Sequence, residues 1–278
     1  MHQSLAQGEL ARLAAVAARL PCGDRKIILQ PWLCFACRWP VLHGGITAAG
    51  RPPIPISEKE TFMHVQLSGT AQRVNTVFCI GRNYAAHAAE LGNAVESEPV
   101  VFLKPNAALL HEGSPIVLPD YSQEVHYECE LVLLIGKDAD HVDEADALSC
   151  IAGYGLGLDL TARDVQSEVK AKGLPWTKAK GFRGAACVSD FVAANLVADP
   201  ARLQFSLHIN GELRQHGDSA LMQFPVATIV SYLSRIYGLR AGDLVFTGTP
   251  EGVGRLQGGD RLQLELPGLL QAAWQVAP

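Results

Sequence analysis

The sequence predicts a β-rich α+β fold, and three observations predict it. Apolar runs of strand length recur at residues 74–80, 100–103, 129–135, 203–209, 244–246 and 261–266. Gly-rich turns punctuate them, and only a few segments carry helical spacing. No regular βαβ rhythm and no internal repeat of fixed period accompanies them.

Taken in order, residues 74–80 read as a strand ending at Gly81, and 84–91 as a helix ending at Gly92, a residue type favoured just past a helix. Residues 100–103 form a second strand. The run Leu131-Val132-Leu133-Leu134-Ile135 has no polar interruption, so the strand at 129–135 is expected to be buried on both faces. Residues 151–160 are Gly-rich but strand-like, and 161–171 are helical in pattern. The alternation at 203–209 turns at Asn210-Gly211, a hairpin signal. Residues 225–236 read as an amphipathic helix before two last strands.

Composition bounds the protein. A chain of 278 residues allows one large domain or two small ones. Apolar content is 48% and charged content 18%, below the roughly 25% usual for globular domains, which points to much buried surface. A net charge of −5 gives no electrostatic footprint for nucleic acid. No run of about 18 apolar residues suits a membrane span. Residues 1–20 carry Glu9, Arg12 and Arg19 rather than a secretory signal. Seven cysteines without disulfide-type spacing fit a reducing, cytoplasmic setting. Cys34-Phe35-Ala36-Cys37 lacks a second ligand pair, so no zinc is expected there.

Residues 1–62 differ from the rest. They hold 7 Lys and Arg against 4 Asp and Glu, whereas residues 63–278 hold 16 against 24. Their prolines break any sustained period. They are expected to be a poorly ordered N-terminal extension, with Met63 as a candidate true start.

Four segments carry chemistry. In a strand, Glu124, His126, Glu128 and Glu130 share one side, at the mouth of the apolar run. Carboxylates placed there are costly unless a cation compensates them. All-oxygen ligation selects Mg2+ or Mn2+, with Ca2+ as a substitute, over zinc; a solvated acidic edge strand has the same spacing. Asp159 stands alone in the Gly-rich segment Tyr154–Leu160, either as a further ligand or as a helix cap; a cap at Thr161 would free it. Asp164 is a rival that the helix would leave in solvent. His87 and Glu90 are i,i+3 neighbours, which suits a carboxylate-oriented general base and equally a plain surface pair. Lys178 and Lys180 share a face if their segment is extended, and an inward lysine there could stabilise an enolate. The loop Thr247-Gly248-Thr249-Pro250-Glu251-Gly252 lacks the lysine of a phosphate loop; its N–H groups and Thr249 could hold a carboxylate, or it is an ordinary turn.

In order, these segments resemble the fumarylacetoacetate hydrolase superfamily, in particular its short acylpyruvate hydrolase branch. The matching stretches are Gly81-Arg82-Asn83-Tyr84, Val101-Phe102-Leu103-Lys104-Pro105, His126-Tyr127-Glu128-Cys129-Glu130-Leu131, Leu158 to Gln166, Pro175 to Lys180, Asn210 to Gln215, and Thr247-Gly248-Thr249-Pro250. The resemblance implies a rolled mixed sheet, a homodimer and a catalytic domain over 63–278. It implies Mg2+ or Mn2+ on Glu128, Glu130 and Asp159, a lid bearing His87 and Glu90, Lys180 as the inward lysine, and Arg82, Gln166 and Thr249 on substrate oxygens. Cys129 departs from the aliphatic residue usual between the two glutamates.

The implied reaction cleaves a C–C bond in a 3-acylpyruvate such as fumarylpyruvate or acetylpyruvate. The partner is thus a small 2-oxo or 2,4-dioxo acid, with neither nucleic acid nor membrane involved. Water activated by His87 and Glu90 attacks the distal carbonyl, and pyruvate leaves as its enolate. The alternatives are oxaloacetate decarboxylation or tautomerisation at the same site, or a non-catalytic member that binds a small acid.

Overall fold

Residues 63–90 and 96–278 are described in the computed structural model, and they begin with a hairpin of β1 (His64–Leu67) and β2 (Thr70–Arg73). The expectations for residues 1–62 and for the helix end at Gly92 lie outside the described residues. Strand β3 (Val77–Gly81) leads into the short helix α1 (Ala85–Glu90), followed by β4 (Val100–Lys104) and β5 (Leu109–His111). The acidic stretch supplies β6 (Val125–Tyr127) and β7 (Cys129–Ile135), and helix α2 (Glu144–Ala147) follows. Next come β8 (Ile151–Asp159), β9 (Thr161–Ala162), α3 (Arg163–Ala171) and α4 (Thr177–Lys180). After them lie β10 (Ala186–Val188), β11 (Val192–Ala193), β12 (Gln204–Ile209) and β13 (Glu212–Asp218). Helix α5 (Val226–Ile236) precedes β14 (Leu244–Phe246), β15 (Gly254–Arg255), β16 (Arg261–Leu266) and β17 (Leu270–Gln275).

The main sheet has the order β4-β3-β14-β7-β8-β10-β5, with β11 alongside β8. Its β3–β14 and β5–β10 pairs are parallel and the others antiparallel, so the sheet is mixed, and it curls strongly into a half-barrel. The β-rich α+β expectation holds, as does the rolled mixed sheet. A four-stranded sheet, β13-β12-β16-β17, and a three-stranded one, β15-β6-β9, complete it.

Strand β7 lies between β14 and β8 with all its residues buried, as its unbroken apolar run predicts. Each such side chain contributes about 1.5–3 kcal/mol by burial. That anchorage offsets the cost of acidic residues at the strand's end. Gly157 on β8 admits its neighbours closely: a Cβ there would lie 2.7 Å from the Cys187 carbonyl oxygen. The Asn210-Gly211 turn has positive φ at both residues, 54° and 83°, which suits the twist of a two-residue hairpin.

Two local expectations are corrected. The helix expected from residue 161 starts at Arg163, because Thr161 and Ala162 pair with β6 as β9. Thr161 therefore caps nothing, and its hydroxyl donates to the Asp159 carbonyl at 3.2 Å. Asp164 is exposed, as expected, and its carboxylate also accepts from the Ser122 hydroxyl at 2.6 Å and the Gln123 N–H at 2.9 Å. The Lys178–Lys180 segment is a helical turn, so the two lysines do not share a face. Lys180 is buried, and Lys178 sits over the Tyr121 ring.

Candidate active site

Two neighbouring strand ends bring the acidic residues together. Glu128 lies between β6 and β7, Glu130 is the second residue of β7, and Asp159 closes β8. Cys129 pairs with Leu158 and Glu130 with Gly157, and the Asp159 N–H donates to the Glu128 carbonyl at 2.8 Å. Side-chain alternation then sends Glu128, Glu130 and Asp159 to one face. All three are buried, and ligand oxygens from them lie within 4.8 Å of one another. Glu124 and His126, expected on that face, are not part of this cluster. They stay partly exposed, 3.3 Å from each other.

Three cations answer these carboxylates unequally. Lys180 Nζ lies 2.7 Å from Glu128 Oε2 and 2.7 Å from Asp159 Oδ2. Arg163 pairs with the other Glu128 oxygen. Lys104, buried to its tip, meets Asp159 Oδ1 at 2.7 Å and donates to the carbonyls of Leu160 and Lys180. Burial pushes the Glu128 carboxyl up, but Lys180 and Arg163 outweigh it and hold it well below the ordinary carboxylate range. Burial likewise disfavours the Lys180 charge, yet Asp159 and Glu128 raise its pKa to about 12. Glu130 has no ion-pair partner among the described residues, and the Gly248 N–H donates to it at 2.7 Å. Burial, Asp159 and Glu128 push its carboxyl well above the ordinary value. The cluster is thus short of positive charge at Glu130, and its all-oxygen donor set fits a hard divalent cation.

One loop ties the cluster to helix α1. Gly248 has φ +101°, and a Cβ there would come 2.7 Å from the Cβ of Asn83, so only glycine aims this N–H at Glu130. Thr249 donates its hydroxyl to the Cys129 carbonyl at 2.8 Å and accepts from Gln215 at 2.9 Å. Gln215 also accepts the Cys129 N–H at 2.8 Å and donates to the Pro250 carbonyl at 3.0 Å. The Gly252 N–H reaches both Glu90 oxygens at 3.3 Å, and Glu90 Oε2 lies 3.3 Å from Nδ1 of the buried His87.

A cavity of about 320 Å³ opens on this arrangement, lined among others by His87, Glu128, Lys180, Phe102 and Trp176. Arg82 and Gln166 also line it; Arg82 pairs with Glu96, and Gln166 accepts from Arg163 at 2.7 Å. Thr249 is not on its lining, and its hydroxyl is engaged in bracing the loop. A larger groove of about 860 Å³ lies over the four-stranded sheet, between Gly113, Arg261 and Gln275, away from the acidic cluster. Sequence reasoning passed over Arg163, Lys104 and Gln215. Lys104 carried a readable signal: a lysine ending an apolar strand whose next residue is proline.

The curled sheet with its buried carboxylate cluster is an arrangement of one known kind. The fumarylacetoacetate (FAA) hydrolase C-terminal profile matches residues 76–277, and the chain belongs to that family, whose members include hydrolases and tautomerases. Over 200 residues it is 47% identical to the human oxaloacetate tautomerase FAHD1, mitochondrial; the match spans 72% of this chain and 90% of that one. It is 45% identical over 196 residues to the oxaloacetate tautomerase YcgM of Escherichia coli K12, covering 70% and 90%. A solved fumarylpyruvate hydrolase from Pseudomonas aeruginosa, in complex with Mn2+ and pyruvate, superposes with a TM-score of 0.75 at 39% identity, covering 78% of this chain and 97% of that one.

Proposed function

We propose that residues 63–278 form a divalent-metal-dependent enzyme for small 2-oxo acids, whose reaction is hydrolysis of a C–C bond in a 3-acylpyruvate. The observation that carries this reading is a cavity lined by His87, Glu128 and Lys180, with Glu130 and Asp159 beside Glu128 in one buried cluster and Glu90 against His87. Glu128, Glu130 and Asp159 would hold Mg2+ or Mn2+, and the uncompensated charge at Glu130 favours it. A cation bound there polarises the substrate's 2-oxo and carboxylate oxygens and stabilises the charge that develops on them.

The chain's own groups do the rest. Glu90 orients the His87 imidazole, which takes a proton from water as the oxygen attacks the distal carbonyl. The C–C bond breaks, and its electron pair passes to pyruvate as the enolate. The Lys180 ammonium faces that developing negative charge. A proton returned to carbon gives pyruvate and a carboxylic acid. The FAHD1 and YcgM relatives favour a second reading, tautomerisation of oxaloacetate, in which His87 moves a proton on the substrate without added water.

The test is a panel of acetylpyruvate, fumarylpyruvate and oxaloacetate with Mg2+ or Mn2+. Metal-dependent pyruvate release from the acylpyruvates supports hydrolysis. Interconversion of oxaloacetate tautomers without release from acylpyruvates supports the second reading. No turnover of any rejects both.

A further inference from the structure

Strand β4 braces the site from outside the acidic cluster. It is the outer strand of the main sheet, and its last residue, Lys104, lies opposite Val77 of β3. Strand alternation puts Phe102 and Lys104 on one face. Both reach the turn α4. The Phe102 ring lies 5.8 Å from that of Trp176, just before the turn, and Lys180 Nζ sits 4.9 Å from the Phe102 ring centre. Pro105 follows Lys104, and a Cβ on Gly181 would come 2.9 Å from its Cδ, so the end of α4 rests on this part of the chain.

The Lys104 side chain has no exposure, and an ammonium so placed is costly unless it is matched. Its Nζ donates to the carbonyls of Leu160 and Lys180. The first belongs to the residue after Asp159. The second belongs to the residue whose ammonium meets Glu128 and Asp159. The same Nζ lies 2.7 Å from Asp159 Oδ1. That oxygen is buried and has no hydrogen-bond donor among the described residues, so the contact is one of charge and leaves lone pairs open. A four-residue turn has little stiffness of its own, and Lys104 ties it to the sheet.

We propose that Lys104 is a positioning residue. It locks the Asp159 carboxylate and the α4 turn into one unit, so that the carboxylate cluster and the Lys180 ammonium keep a fixed relation. Lys104 is not on the cavity lining, so it acts through these two residues rather than on a ligand. This rests on the reading of the acidic cluster as the place of a divalent cation.

The experiment compares Mn2+ binding by calorimetry in the wild type and in Lys104→Met, which keeps most of the volume and removes the charge and the donors. Two roles predict opposite signs. A residue that only balanced charge would hinder a second cation, and removing it should tighten Mn2+ binding. A residue that positions Asp159 should, when removed, weaken Mn2+ binding about 10- to 100-fold, as for other groups that orient metal ligands. At saturating Mn2+ the kcat for the acid that the wild type turns over should fall by a similar factor with KM little changed, because Lys180 faces charge that develops during the reaction. Lys104→Gln keeps an amide donor without the charge and should lose less affinity than Lys104→Met; it carries the same comparison if Lys104→Met does not fold. Unchanged or tighter Mn2+ binding in the folded variant overturns the proposal while wild-type binding keeps the metal reading intact. Failure of the wild type to bind Mn2+ overturns the metal reading and this proposal together.

Discussion

The carboxylate cluster and helix α1 meet one cavity, through Glu128 and His87, and are held in opposite ways. The cluster's main contacts are 2.7 Å ion pairs between side chains with almost no exposure. Helix α1 has only six residues, too few for a helix stable in isolation. Ala85, Ala86 and Glu90 are exposed, and Glu90 reaches its partners at 3.3 Å. The helix is rooted instead at Asn83, whose amide donates to the Thr247 carbonyl at 2.8 Å and the Phe224 carbonyl at 3.1 Å. The contrast assigns work by stiffness. Lys180, Arg163 and Lys104 pair with Glu128 and Asp159 in the buried cluster, while the His87–Glu90 pair, proposed to handle protons, sits on a short and partly exposed element with few contacts to hold it.

The largest effect expected comes from Glu130→Gln, which separates charge from shape in the stiff region. In wild-type protein without metal, three buried carboxylates press on one another, and Glu130 has the weakest compensation. The variant should therefore melt above the wild type in chelator. The sign follows from the raised folded pKa: the penalty appears as pH rises above the ordinary carboxylate value, so lowering pH toward that value should close the gap. With Mn2+ at about 100 times its Kd the wild type should gain about 2.7 kcal/mol. The variant should gain little and turn over no acylpyruvate. An undiminished Mn2+ shift in Glu130→Gln would remove Glu130 from the metal site.

His87→Ala breaks the comparison from the other side. It should keep the wild-type Mn2+ shift, because His87 is not part of the acidic cluster. Turnover should fall about 10²- to 10⁴-fold, the usual contribution of a general base. Full turnover in this variant would end the lid-base role.

The stiff region was the more legible from sequence, for a physical reason. An apolar run such as Leu131–Ile135 states its burial locally, so acidic residues at its end stand out as needing a cation. Asp159 was legible by the same contrast with its Gly-rich strand. Of the cations that compensate them, Lys180 was expected as the inward lysine, whereas Arg163 and Lys104 were not legible. Arg163 lies 35 positions from Glu128 and Lys104 lies 56 from Leu160, separations at which only the folded sheet brings partners together. Thr249 misled because a hydroxyl in a Gly-rich loop looks available; the Cys129 carbonyl and Gln215, both supplied by tertiary structure, occupy it. The turn at 177–180 was read as extended because four residues carry too little period to separate a helix from a strand.

Gln215→Leu tests whether the loop joins the two regions. It leaves the buried Cys129 N–H without its acceptor, at a cost of about 1–3 kcal/mol. It also frees Thr249 and Pro250, between the N–H groups of Gly248 and Gly252 that face Glu130 and Glu90. Mn2+ affinity should fall about 10- to 100-fold, as for other groups that orient metal ligands, and kcat should fall further at saturating metal. Loss of stability alone, with metal affinity and kcat intact, would make Gln215 a packing residue and leave the two regions uncoupled.

Asp164→Asn should give the smallest effect and confine it to stability. Burial raises the Asp164 carboxyl, but the Ser122 hydroxyl and the N–H groups of Gln123 and Val165 outweigh it and hold its pKa below the ordinary value. A carboxylate depressed in this way stabilises the fold above its unfolded pKa and loses that contribution as pH falls through the lower folded one. At neutral pH the variant should melt a few degrees lower, since asparagine keeps an oxygen acceptor but loses the charge. In acid the difference should vanish, because the wild-type group is then neutral too. The Mn2+ shift should be unchanged, as Asp164 lies outside the cluster. A melting gap that persisted in acid would mean that side-chain shape, rather than charge, holds the Ser122–Gln123 turn against the start of α3.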